Sequence, residues 1–159
     1  MEDGEANEFR YVDGKKQGLE RKWDYDGELF RETPWVDGEK HGTERVWYGN
    51  GNDSDCDSPS YGRLFHETSY IHGKRHGLER WWYENGQLGG ETPWYDGKKH
   101  GVQRSWRDDE QLWWEVQYTQ GKQGLERKWG SNGKLDYEKL SKHCGPLSLS
   151  LSRTMQSEV

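Results

Sequence analysis

The chain has 159 residues, of which only 29% are hydrophobic and 33% charged, with a formal net charge of −6. No run of about 18 apolar residues is present to span a membrane, and the acidic balance removes the general electrostatic reason to expect nucleic acid. So polar a composition argues for disorder, yet ten Trp, nine Tyr and three Phe recur at fixed spacing, so an ordered, soluble chain is expected.

The N-terminal Met1-Glu2-Asp3-Gly4-Glu5 is acidic and lacks the apolar core of a secretory signal. A repeat of 24 residues then begins. Its first glycine falls at Gly14, Gly38, Gly73, Gly97 and Gly121, a second at Gly18, Gly42, Gly77, Gly101 and Gly124, and a tryptophan at Trp23, Trp47, Trp82, Trp106 and Trp129. The fifth repeat is one residue short between its glycines. The second carries eleven extra residues, an inserted loop near 49–60. Pairs such as Asp96-Gly97 and Asn85-Gly86 favour tight turns, because glycine adopts positive φ without steric cost. With turns about every 12 residues and no helical period, antiparallel strands are predicted at 6–12, 18–24, 28–36, 42–48, 63–71, 77–83, 87–95, 101–107, 111–119, 124–130 and 134–141. The fold class that follows is all-β, an elongated single-layer antiparallel meander of about 11 strands. Residues 1–141 form the array. Residues 142–159 form a tail, a capping strand or a disordered segment, in which Leu147-Ser148-Leu149-Ser150-Leu151 alternates as a capping strand would.

Alternation assigns faces within each strand. Leu78, Arg80 and Trp82 share one side, as do their equivalents in the other repeats. Leu64, Thr68 and Tyr70 group together, as do Leu88, Thr92 and Trp94, with Glu67 and Glu91 opposite. The expectation is one aromatic face carrying Trp23, Trp47, Trp82, Trp94, Trp106 and Trp129. The other face carries Glu32, Glu67, Glu91 and Glu115 beside Glu44, Glu79 and Glu126. With no second layer, stability must come from stacking between repeats, with Arg45, Arg80 and Arg104 lying over rings.

The pattern Tyr-x-Asp-Gly-Lys-Lys-His-Gly-x-Glu-Arg-x-Trp-Tyr-x-Asn-Gly-x-Leu, assembled from Gly73 to Leu88 and Trp94 to Gly101, resembles the MORN repeat over residues 8–139. It is most similar to the variant of YwqK-type antitoxin proteins and of MORN-repeat proteins from large amoeba-infecting DNA viruses. The resemblance implies stacked hairpins and a scaffolding, dimerising or partner-binding role, including a virion component or a toxin-blocking antitoxin. Glu-Arg after the second glycine and the inserted loop depart from the common form, which sets lipid binding in doubt.

Among candidate sites, His41, His76 and His100 share one turn position with Gln17 and Gln123. Two strand spacings separate successive copies, about 10 Å, so they are expected to be turn residues and not metal ligands. Asp53-Ser54-Asp55-Cys56-Asp57 opens like a calcium loop but has Ser58 and Leu64 where that loop needs glycine and glutamate. Cys56 and Cys144 build no framework, and a reduced chain is expected. The turns between the glycines gather Lys15, Lys16, Lys40, Lys74, Arg75, Lys98, Lys99 and Lys122 on a basic rim. The opposite turns gather Asp24, Asp26, Glu28, Asp53, Asp55, Asp57, Glu84, Asp108, Asp109 and Glu110. No nucleophile elbow, phosphate loop or helical metal-ligand pair is present.

The expected function is therefore non-catalytic: an interaction or assembly scaffold, with an antitoxin as the alternative and a peripheral adaptor on anionic lipid as a further one. No cofactor, metal, nucleic acid or small-molecule substrate is expected. The partner is a protein or a second copy, contact with a membrane surface is less favoured, and an intracellular or virion location fits.

Overall fold

The computed structural model describes residues 7–24, 27–49 and 62–141. Asp53 to Asp57, Cys56, Cys144 and the tail from 142 lie outside these residues. Thirteen strands form one sheet: β1 (Asn7–Val12), β2 (Lys15–Trp23), β3 (Leu29–Val36), β4 (Glu39–Lys40), β5 (Gly42–Trp47), β6 (Leu64–Ile71), β7 (Lys74–Trp82), β8 (Leu88–Tyr95), β9 (Lys98–Lys99), β10 (Gly101–Trp106), β11 (Leu112–Thr119), β12 (Lys122–Trp129) and β13 (Leu135–Leu140). Every neighbour is antiparallel and the order follows the chain, with the two-residue β4 and β9 paired to β3 and β8. This is the single-layer meander expected, eleven strands along the path.

The second strand of each hairpin starts three residues earlier than the turn glycines suggested, two in the last hairpin. Asp13-Gly14, Asp37-Gly38, His72-Gly73, Asp96-Gly97 and Gln120-Gly121 all have positive φ at both positions, the geometry of a two-residue turn whose twist matches the flanking strands. The second glycine lies inside the hairpin as a bulge. Val12 pairs with Lys15 while Glu8 pairs with Arg21, so β2 carries two residues more than β1 across that interval. The same two-residue shift separates Ile71/Lys74 from Thr68/Glu79. In the last hairpin Thr119 pairs with Lys122 and Val116 with Glu126, a shift of only one. The short fifth repeat is therefore a shorter bulge.

The opposite turns are closed by paired backbone bonds. Tyr83 N–H donates to Gln87 O and Gly86 N–H to Tyr83 O, and Arg107 with Gln111 repeats this closure. Tyr48 N–H donates to Arg63 O and Gly62 N–H to Tyr48 O, so the strands flanking the insertion close with the bonds of an ordinary turn.

Repeats are joined beyond the strand ladder. The amides of Gly38, Gly73, Gly97 and Gly121 donate to the carbonyls of Lys16, Lys40, Arg75 and Lys99 in the preceding turn, at 2.8 to 2.9 Å. At the other end Tyr48 Oη donates to Trp82 O and Tyr83 Oη to Trp106 O, while Arg107 Nη2 donates to Trp129 O. Val116 is the one buried hydrophobic side chain among the described residues, and the other buried groups are polar: Glu20, Asp24, Thr33, Glu44, Thr68, Thr92 and Ser105. The interior is a buried row of mostly polar side chains on one face, with Glu20, Thr33, Glu44 and Thr68 hydrogen-bonded through their side chains.

Candidate interaction surface

Cross-strand register decides the faces, because directly opposed residues project to the same side. Glu20 opposes Thr33, Glu44 opposes Thr68, and Thr68 and Thr92 both oppose Glu79. This row belongs to what we term the holding face. Thr33 Oγ1 donates to Glu44 Oε2 at 2.9 Å, and the indole N–H of Trp35 and of Trp94 donates to Glu20 and to Glu79 at 2.8 and 2.7 Å. Lys16 and Lys40 reach Glu20 and Glu44 at 2.6 Å, and Arg75 approaches Glu79 at 3.6 Å. Burial opposes ionisation of Glu20, Glu44 and Glu79. Donors outweigh it, Lys16 and Trp35 at Glu20, Lys40 and Thr33 at Glu44, and His66, Arg75 and Trp94 at Glu79, and hold all three carboxyls below the usual range.

The same cations lie against rings: Lys16 over Trp35, Lys40 over Tyr70, Arg75 over Trp94 and Lys99 over Tyr118, at 4.7 to 5.0 Å from the centroids. Beside this row Trp81 lies on Gly89 and Gly90. A Cβ on either glycine would come within 2.0 or 2.3 Å of the indole, whereas Phe65-His66 and Trp113-Trp114 fill the equivalent places in neighbouring repeats.

The opposite face is built differently. Arg21, Glu32, Arg45, Glu67, Arg80, Glu91, Arg104, Glu115, Arg127 and Glu138 oppose one another in sequence, one charge per strand of alternating sign. Arg80 meets Glu67 at 3.1 Å and Glu91 at 3.8 Å, and Arg104 meets Glu91 at 3.2 Å and Glu115 at 3.1 Å. On one side of this ladder Trp23, Trp47, Trp82, Trp106 and Trp129 oppose Leu29, Leu64, Leu88, Leu112 and Leu135. On the other side Leu19 opposes Pro34 and Leu78 opposes Pro93. Outermost is an exposed apolar row of Val12, Val36, Ile71 and Tyr95. Seven of the eleven exposed large hydrophobics project here, Leu19, Leu135 and Leu140 with these four. The exposed apolar residues are thus concentrated on this face and not singly scattered.

These placements revise the expected faces. Five of the six tryptophans assigned to an aromatic face share it, but Trp94 stands on the other side, over Glu79. Leu64 and Leu88 join Trp47 and Trp82 and leave Thr68 and Thr92, because a one-residue bulge before each strand's second position reverses their phase. The two glutamate columns lie on opposite faces. Arg80 and Arg104 sit between glutamates, with Arg45 4.0 Å from Glu67, and the cations over rings are mainly the turn lysines and Arg75.

The eight basic residues divide likewise. Lys15, Lys74, Lys98 and Lys122 oppose Val12, Ile71, Tyr95 and Thr119 on the ladder face, where they are exposed. Lys16, Lys40, Arg75 and Lys99 are half-buried on the holding face. Of the opposite turns, Asp24 is buried, while Glu28, Glu84, Asp108, Asp109 and Glu110 are exposed. Asp26, Asp53, Asp55 and Asp57 lie outside the described residues. At the shared histidine position two copies tie one turn to the next, Gln17 Oε1 accepting from Asp37 N–H at 2.7 Å and His100 Nδ1 from Gln120 N–H at 3.4 Å, while His41 Nδ1 is buried without a hydrogen-bond partner among the described residues. Among the described residues no group of three or more His, Cys, Asp or Glu could hold a metal ion.

Residues 75–95 match the model of a MORN repeat variant. No curated protein matches. Among solved structures, a point mutant of S. aureus TarM in complex with fondaparinux, alpha-GlcNAc-glycerol and UDP is 9% identical with a TM-score of 0.34, the alignment covering 84% of this chain and 19% of that one. A second TarM crystal structure gives 10% identity and a TM-score of 0.33 over 84% and 19%. At those scores the likeness carries no structural argument, and the chain spans about a fifth of the length of either.

Proposed function

Because the chain is a MORN-repeat protein, matched over residues 75–95 and bearing the same pattern in its other repeats, we propose that it is an interaction scaffold that binds a protein partner on the ladder face. The observation that carries this reading is the concentration of exposed Val12, Val36, Ile71 and Tyr95, with half-buried Trp and Leu, on either side of a charge ladder with no layer over it among the described residues. MORN repeats are typical of non-enzymatic proteins. Glu20, Glu44 and Glu79 are held by fixed donors from their own and neighbouring strands, a structural use of these carboxylates.

Protein is favoured over anionic lipid because acids interrupt the row of exposed lysines on this face. Lys74 pairs with Asp96 at 2.6 Å, and Glu39 holds in the second repeat the place of Lys15, Lys74, Lys98 and Lys122 in the others. An apolar surface with mixed charge suits a protein contact better than a membrane of one sign.

The test is affinity purification of the full chain from its native source, beside an Ile71→Ser/Tyr95→Ser variant. Both positions are exposed, so thermal unfolding should be unchanged while partner capture is lost. A chain that stays monomeric and captures nothing, or a variant that captures as well as the parent, overturns the proposal.

A further inference from the structure

The ladder face is one surface; the outer edge of β13 is a second, and we propose that it receives an extended segment of a protein partner carrying an arginine or lysine between apolar residues. This rests on the interaction reading above and adds a distinct site. Inside the array Glu67, Glu91 and Glu115 each lie between two arginines and are 17 to 19% exposed. Among the described residues Glu138 is met by Arg127 alone, at 2.7 Å, and is 47% exposed. Its strand is the last of the sheet among the described residues and pairs only with β12. All six residues of β13 are exposed, with Leu135 at 51% and Leu140 at 58% on the same face as Glu138.

Every interior glutamate strand, β3, β6, β8 and β11, has an arginine strand on each side. The free edge of β13 therefore matches the edge of β11 that β12 occupies. Among the described residues it offers unpaired backbone groups, a carboxylate with one side open and a leucine beyond it in each direction, the template for one further strand. A second copy of β13 does not fit. In antiparallel pairing about a two-fold axis, residues on one face oppose each other. In the registers that oppose three or more residues of β13, centring on Asp136 or Glu138 sets that acid against itself, centring on Tyr137 sets Glu138 against Asp136, and centring on Lys139 opposes two lysines. Each arrangement opposes like charges, which destabilises a strand pair.

The test uses the full chain and a labelled synthetic peptide with the sequence Lys122–Trp129, following hydrogen exchange of amides 135–140 and peptide affinity by fluorescence anisotropy. The peptide should slow exchange along β13. Glu138→Lys should weaken binding about tenfold, and a peptide with glutamate in place of its arginine should recover that loss on the Glu138→Lys protein alone. Unchanged thermal unfolding of the variant shows that the sheet is intact. Amides 135–140 already protected in the free chain, or a peptide affinity indifferent to the charge exchange, overturns the edge site. Ile71→Ser/Tyr95→Ser should leave peptide binding unaltered, so failure at the edge and failure of the ladder face are read separately.

Discussion

The two faces of this sheet come from the same strands and the same repeat, yet they resolve their polar groups in opposite ways. On the holding face the carboxylates of Glu20 and Glu44 are almost fully buried and each is satisfied by a lysine plus a hydroxyl or an indole. On the ladder face the arginines stay 35 to 46% exposed and share glutamates with their neighbours. A sheet with no second layer among the described residues can thus place its buried polar row on one side. The other side keeps its outermost apolar row exposed.

That contrast sets the order of expected effects. The largest belongs to Gly89→Leu, since even a Cβ there would lie 2.0 Å from the Trp81 ring; a loss of about 2–3 kcal/mol in chemical denaturation is expected. Next comes Glu44→Ala, which leaves Thr33 and Lys40 without their buried acceptor and should cost about 1–3 kcal/mol by the same measurement. Acid should act on the same face. The carboxyls of Glu20, Glu44 and Glu79 are lowered in the folded chain, so their contribution is complete above the unfolded carboxyl range and is lost as the pH falls below about 4.5. A melting temperature that declines on acidification below that point, less steeply in Glu44→Gln, checks this. The smallest effect is expected on the ladder face, where Arg104→Ala should cost less than about 1 kcal/mol because its pairs are solvent-screened.

Much of this architecture was legible in the residues. The Asp-Gly turns and the 24-residue period located the hairpins, since glycine at positive φ and a two-residue turn leave little choice of connection. Alternation grouped Leu78, Arg80 and Trp82 correctly. What it does not supply is the phase between neighbouring strands, which a bulge can shift. The second glycine looked like the end of a turn, but Gly101 at φ 112 is a bulge inside the hairpin, and a separate bulge beside Leu88 sets the β7–β8 register in which Thr92 opposes Glu79 and Trp94 lies over it. The alternating ladder could have been found from one register: with Tyr95 opposite Lys98 and two bulged residues, Glu91 must face Arg104. The Trp81 cradle also had a signal, the Gly89-Gly90 pair where other repeats place bulky residues.

The central claim, that one face holds and the other binds, is tested most directly by photo-cross-linking. A photoreactive residue is placed at Tyr95 on the ladder face or at Phe65 on the holding face, both exposed, and the protein is irradiated in its native extract. A partner adduct from position 95 and none from position 65 is expected. Adducts from position 65 alone, or equally from both, would contradict it.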